Sequence, residues 1–389
     1  MQRFDTIVLG LGAMGSATAY QLARRGRRVL GIDRFSPPHV HGSTHGDTRI
    51  TRLGIGEGAQ YTPLAMRSHQ IWRELERATG QTLLTTNGGL VLSSRARTSH
   101  CHSDNFFANT VAAAQKYDIP HELLEAGQIR QRFPRFNVAD DETGYYEPGA
   151  GFVRPEECVR AQLELARHHG AVLHVGETAA AFAANDGGVT VTTGQGTYAA
   201  QTLIVTAGPW LPELVGASIA RHLTVYRQVL CWFAIEGEVA PFLPANFPVF
   251  IWELQGRSQG IYGFPAVDGA RGGLKVATER YDQATTPDLA ERDVSGTESR
   301  ALYDEYVAPF ISGLSGRCVK AATCLYTVTP DSGFIIDTLP GAERVLVASP
   351  CSGHGFKHSA AIGEALAERV IDGRSRLDLG AFSLDRFRR

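Results

Sequence analysis

Short uninterrupted apolar runs, each closed by a glycine-rich or acidic turn, recur along the chain and set the first expectations. Thr6-Ile7-Val8-Leu9 is continuous and brief, the pattern of a parallel strand buried on both faces. Gly10-Leu11-Gly12-Ala13-Met14-Gly15 follows at once, and residues 16–23 read as a helix. A second strand, Arg28-Val29-Leu30-Gly31-Ile32, ends on Asp33. Leu203-Ile204-Val205 repeats the buried-strand pattern and closes in Thr206-Ala207-Gly208. Val345-Leu346-Val347-Ala348 repeats it again, ahead of Ser349-Pro350-Cys351-Ser352-Gly353-His354-Gly355-Phe356-Lys357 and a helix predicted from about His358 to Ile371. Such strands alternating with helices predict an α/β fold.

Composition narrows the class. The 389 residues, 43% hydrophobic and 20% charged, exceed one ordinary core and predict two domains. A formal net charge of −2 excludes the strongly basic balance of a nucleic-acid binder. No stretch approaches the roughly 20 apolar residues that a membrane helix needs. The first residues run straight into a strand pattern, without the apolar segment and cleavage site of a signal peptide. Cysteines 101, 158, 231, 318, 324 and 351 are scattered and include no CxxC pair, so neither a disulfide framework nor a metal site is expected. The compartment reads as reducing and cytoplasmic.

The N-terminal pattern is strand, GxGxxG, helix, strand, acid, with Asp33 placed 23 residues after Gly10. Gly10 permits the tight turn, Gly12 lets backbone approach a pyrophosphate, and Gly15 lets helix pack closely on strand. The helix start offers free N–H groups and its positive dipole end to phosphates. Asp33 suits ribose hydroxyls and repels a 2′-phosphate. This motif alone does not separate NAD from FAD. The second glycine-rich turn, at 353–357 near the other end of the chain, is another anion-seeking helix start. Two such turns suit a long cofactor such as FAD, and the alternative is a strand-turn-helix element without a ligand.

Three longer motifs carry a resemblance. Pro37-Pro38-His39-Val40-His41-Gly42-Ser43-Thr44-His45-Gly46-Asp47-Thr48-Arg49 is one; Cys324-Leu325-Tyr326-Thr327-Val328-Thr329-Pro330-Asp331 with Phe334-Ile335-Ile336-Asp337 is another; Ser352-Gly353-His354-Gly355-Phe356-Lys357 is the third. In order and spacing the chain resembles the monomeric sarcosine oxidase and N-methyltryptophan oxidase family from residue 5 to its C-terminus. The resemblance implies an α/β protein, α+β overall, with a Rossmann-like, glutathione-reductase-like FAD-binding domain and a substrate domain built on an antiparallel sheet. We place the first at 1–84, 146–220 and 320–389, and the second at 85–145 and 221–319.

The resemblance also assigns roles. Cys324 matches the cysteine that forms a thioether to the flavin, a reaction open to an ionisable thiol; alone it reads as a buried structural thiol. Lys275, in Gly272-Gly273-Leu274-Lys275-Val276-Ala277-Thr278-Glu279, matches a lysine beside the flavin that promotes reaction with oxygen, where a fixed cation stabilises the first reduced oxygen species. Its ordinary reading is an exposed strand lysine. Arg52 and Lys357 match a carboxylate clamp, combining a planar fork with a point charge. Arg49 and His45 match residues lining the other side of the flavin, while Tyr326 and Tyr262 are expected to face the substrate. Ser43, Thr48, Gly353, His354, Gly355 and Lys357 are expected at the cofactor.

The implied reaction is oxidation of a C–N bond in a secondary amino acid by O2, giving an imine that hydrolyses, and H2O2. A cyclic imino acid oxidase, a sugar–amino acid adduct oxidase and a flavin dehydrogenase with another acceptor are the alternatives, and a non-catalytic flavin-binding protein is the rival outside enzymes. A monomer is implied. Two positions depart from the family pattern, because Thr44 and Glu279 stand where it has histidines. Positions 275, 277 and 279 of a strand share a face. Glu279 is therefore expected to point into the same cavity as Lys275, to pair with Lys275 or bind a cationic substrate group unless a local shift turns it away, and it favours a substrate larger or more basic than sarcosine.

Overall fold

The computed structural model describes residues 3–99 and 101–388. The predicted buried strands form the centre of an eight-stranded sheet. Its parallel part runs Ala342–Ser349, Thr197–Val205, Arg3–Leu9, Val29–Asp33, Val172–Val175. Leu9 sits level with both Ile32 and Val205, and Val205 with Val347. All these strands therefore end at one edge, where open α/β sheets bind their ligands. The Gly10 turn, Asp33, Thr206-Ala207-Gly208 and the Ser349–Gly355 turn all meet there.

Both faces of the sheet are covered, which is why its strands carry no alternation. Helices Ala13–Ala23, Pro155–His168 and Ser359–Asp372 cover one face, with Thr62–Thr79 outside them. Leu22, Trp72, Ile362 and Leu366 are fully buried in this layer. Small residues bring the helices close, since a Cβ on Gly363 would collide with Ala17. The opposite face packs Val189, Val191, Ile219 and Leu223. The C-terminal helix begins one residue later than predicted, after a tight turn over Phe356–His358.

A nine-stranded second sheet lies over the ligand edge of the first. Every pair in it is antiparallel except that between Gly89–Ser94 and Val249–Trp252. Phe136, Phe242, Phe247, Phe250 and Trp252 fill its core, with Phe136 and Phe247 stacked at 4.8 Å between ring centres. The 15-residue strand Leu314–Val328 pairs with Thr224–Ile235 and carries Cys324 and Tyr326 towards the first sheet. A three-stranded sheet of Arg49–Thr51, Leu84–Thr86 and Gly151–Val153 bridges the two. Among the described residues, no helix is long and apolar enough to cross a membrane.

Candidate active site

One continuous cleft runs from Asp33 past the Gly10–Gly12 turn and the Gly353–Gly355 turn to Glu279. At its N-terminal end backbone does most of the work. Gly10 has φ 84°, and a Cβ on it would meet the Thr206 carbonyl. A Cβ on Gly15 would overlap the Gly10 carbonyl oxygen, so this glycine sets the helix-to-strand distance and does not line the cleft. Gly12 is different: nothing but Thr44 Oγ1, at 3.5 Å, stands near its missing side chain. The open side faces the cleft, which leaves room for a ligand to meet backbone at the helix start. The Asp33 carboxylate is held by Leu11 N–H (2.7 Å) and Phe35 N–H (2.8 Å). Phe35, His39 and Trp210 close this end.

The C-terminal turn is tied to the first sheet. His354 Nε2 pairs with the Ser332 carbonyl at 3.0 Å, and its ring stacks on Phe334. Burial holds this imidazole well below its ordinary pKa, hence neutral. Gly353 has φ 80°, and a Cβ there would lie 2.7 Å from His102 Nε2 and 3.0 Å from the Tyr326 ring.

Segment 43–49 wraps behind the cleft and gathers four of the expected residues. Lys275 Nζ donates to the carbonyls of Gly46 (2.7 Å) and Thr48 (3.0 Å) and to Thr48 Oγ1 (3.3 Å). It lies 4.4 Å from the centre of the Phe264 ring and is 2% exposed. Burial, and then the Arg49 guanidinium, drive its pKa well down. The same pair of causes, with Lys275 added, pushes His45 down to about 3, a neutral imidazole. Arg49 donates to the carbonyls of Thr48 and Ser43, both at 2.9 Å, and reaches Cys324 Sγ at 3.5 Å. Ser43 Oγ donates to the Leu325 carbonyl, locking the segment to the cysteine strand. Glu156 accepts the Gly46 and Asp47 N–H groups. His45, Thr48, Lys275 and Cys324 are buried behind the cleft wall, whereas Arg49, Ser43, Tyr262 and Tyr326 line it.

At the far end Arg52 and Lys357 come together around Glu57. Arg52 Nη2 meets Glu57 Oε2 at 2.7 Å, and Lys357 Nζ meets Oε1 at 3.3 Å. Burial alone would raise the Glu57 pKa; Arg52, Lys357, His354 and His102 outweigh it and hold the carboxyl well below the usual range. Burial lowers Lys357 to about 8, with Glu57 working against it. Arg52 Nη1 donates to the Gly54 carbonyl, while its buried Nε has no partner among the described residues. The Tyr262 and Tyr326 hydroxyls are 3.1 Å apart, and burial raises both phenol pKa values.

Glu279 lies in the cleft, but apart from Lys275. The strand ends at Thr278, the last residue paired with Ile261, so the alternation of faces lapses before 279. Lys275 turns to segment 46–48, while Glu279 stays in the cleft with Oε1 3.0 Å from His102 Nε2 and Oε2 accepting from the Tyr281 hydroxyl at 3.2 Å. Glu57, His102, Tyr281 and Glu156 were not anticipated from the sequence. Glu57, in the glycine-rich Gly54-Ile55-Gly56-Glu57-Gly58 just after Arg52, carried a usable signal; loop residue His102 carried none.

The site fits FAD. Its two glycine turns lie along one cleft, and the buried Arg52 Nε and Ser349 Oγ that line it have no hydrogen-bond partner among the described residues. A family model described as FAD dependent oxidoreductase matches residues 5–369. The fold and site thus define an FAD-dependent amine oxidoreductase. The chain is 40% identical over 381 residues to a monomeric sarcosine oxidase of Streptomyces avermitilis, covering 97% of this chain and 96% of that one. It is 37% identical over 388 residues to an N-methyl-L-tryptophan oxidase of Yersinia pestis, covering 99% and 100%. The solved structure of NikD, an amino acid oxidase of nikkomycin biosynthesis, shares the fold at TM-score 0.83 and 22% identity, covering 98% of each chain. The chain belongs to the monomeric sarcosine oxidase and N-methyl-L-tryptophan oxidase family.

Proposed function

We propose that the protein oxidises the C–N bond of an N-alkyl amino acid, with O2 as acceptor and FAD held covalently by Cys324. The observation that carries this reading is the convergence of Arg52, Lys357, Tyr262 and Tyr326 on one cleft lined by both glycine turns. FAD, when bound, would supply the chemistry, taking two electrons and one proton from the substrate.

The chain's own residues bind, orient and charge-balance. Lys357 and the free Arg52 Nε take the substrate carboxylate, and Glu57 fixes both cations in place. The paired tyrosine hydroxyls stay protonated and orient the amine end of the substrate. Gly10, Gly12, Gly15, Asp33, Ser43, Thr48, Gly353, His354 and Gly355 shape the cofactor seat. Arg49 lies against the Cys324 sulfur, the atom that would carry the flavin. Lys275, with neutral His45 and Arg49 beside it, receives the negative charge of reduced oxygen; such charge draws its depressed pKa back towards the ammonium form. The imine leaves and hydrolyses in water, and an N-methyl substrate yields formaldehyde and the primary amino acid, with H2O2 from oxygen.

Segments 1–84, 146–220 and 320–389 make the FAD domain in this reading, and 85–145 and 221–319 the substrate domain. The strands of the eight-stranded sheet all fall in the first set, which supports the division. The free state of all six cysteines supports a reducing, cytoplasmic setting, and we take the working unit as a monomer.

An oxygen electrode with a panel of N-methyl, cyclic and sugar-adduct amino acids tests the reaction. Oxygen uptake with equal H2O2 and aldehyde from an N-methyl compound supports it; turnover only with a dye acceptor overturns the oxidase step. Acid precipitation tests the bond. Yellow colour stays in the pellet of the native protein and leaves with Cys324→Ala; colour in the native supernatant overturns it.

A further inference from the structure

Glu279 and His102 have no duty in the reaction above, yet both line its cleft. They come from elements distant in sequence, the loop after Gly89–Ser94 and the end of the Leu274–Thr278 strand. Their side chains are only 7% and 15% exposed for histidine and glutamate. Burial opposes a charge on His102, Glu279 at 3.0 Å favours it, Glu57 at 3.7 Å from Nδ1 adds to that, and Lys357 opposes. The balance raises its pKa. The other groups facing it are Tyr281, His354 at 5.1 Å between rings, the neighbouring Cys101 and the Phe106 ring.

Charge bookkeeping at this end of the cleft is simple. Arg52 and Lys357 offset Glu57 and Glu279, so a protonated His102 leaves one net positive charge, which a substrate carboxylate neutralises. A substrate that also carries a cationic side chain leaves that charge in excess unless His102 gives up its proton. Uncompensated charge in a buried site is costly. The carboxylate clamp, Glu279, Tyr262 and Tyr326 all line the same cleft, so one amino acid can meet the clamp and Glu279 together.

We propose that Glu279 recognises a cationic group on the substrate side chain, and that His102 is an internal counterion which such a substrate displaces. This rests on the reading of the cleft as an N-alkyl amino acid site. Selectivity for the cationic substrate consequently rises with pH as His102 loses its proton.

The test uses the FAD-loaded enzyme and the near-isosteric pair Nα-methyl-L-lysine and Nα-methyl-L-norleucine. The ratio of their kcat/KM values is measured across the pH range, so that titration of Lys357 and of the substrate amine cancels. The ratio is expected to climb with pH in the native protein and to fall roughly 10-fold in Glu279→Gln, the size of one modest ion pair. In His102→Gln it is expected to be high and flat. Calorimetric Kd values for L-lysine and L-norleucine give the same comparison without turnover. Binding that prefers lysine and loses the preference in Glu279→Gln supports the proposal even where neither methylated compound reacts, an outcome that sinks the C–N reading alone. An unchanged lysine-to-norleucine ratio in Glu279→Gln overturns the proposal and leaves that reading standing.

Discussion

The two ends of the cleft are built on different principles. Around Gly10, Gly15 and Asp33 the site is backbone, set by local turns whose geometry follows from absent side chains. Around Arg52, Glu57, Lys357, His102 and Glu279 it is a network of ionisable side chains brought from separate loops and strand ends. A backbone site is rigid and generic, suited to a cofactor common to many enzymes. A side-chain network is tunable by single substitutions, suited to choosing a substrate.

The largest expected effect lies at the backbone end. Gly15→Val drives a side chain into the Gly10 carbonyl and Thr206. We expect a loss of about 3 kcal/mol or more from overpacking, seen as a lowered Tm and little flavin per protein chain. A Gly15→Val protein of normal Tm and flavin content would break the contrast.

Arg52→Ala comes next, because it strips buried Glu57 of its nearest cation and leaves Lys357 and the imidazoles of His102 and His354 around it. Removing one partner of a buried pair costs about 3–5 kcal/mol, so kcat/KM is expected to fall at least 100-fold while flavin content holds. Lys275→Met sharpens the division of labour between the faces. Reoxidation by oxygen should slow by about 100-fold with anaerobic reduction by substrate little changed, a split read by stopped flow. Equal slowing of both half-reactions would remove oxygen chemistry from Lys275.

The smallest effects are in pH. Lys357, lowered to about 8 by burial, is protonated below that value and loses its charge above it. Substrate KM should therefore rise as pH passes about 8, by no more than about 10-fold, and this break should vanish in Lys357→Met. Glu57→Gln removes the charge that supports the ammonium, so the break should move to lower pH.

The same contrast explains what was legible in the sequence. Strand, glycine turn, helix and acid are contiguous, and each is dictated by local sterics, so the nucleotide end and four of the five parallel strands could be read directly, Val172–Val175 being the exception. Boundaries still moved: the first helix begins at Ala13, before the predicted 16, because the glycine turn is itself its first cap. Arg52, Lys357, Tyr262 and Tyr326 were reached through motif resemblance, and the fold brings them to one cleft. Glu57 was not reached although its glycine-rich setting just after Arg52 carried a signal, and His102 was not reached because its meaning comes from partners supplied by other loops. Glu279 was read with strand periodicity one residue past the end of the strand, so its side chain went to His102 and not to Lys275.

The central claim, oxidation of an N-alkyl amino acid at this cleft, is tested most directly without oxygen. The purified yellow protein is mixed anaerobically with an N-methyl amino acid and its flavin absorbance followed. Complete bleaching that reverses on admitting air, and that Arg52→Ala slows, is the expected result. Flavin that a chemical reductant bleaches but no N-alkyl amino acid does would contradict it.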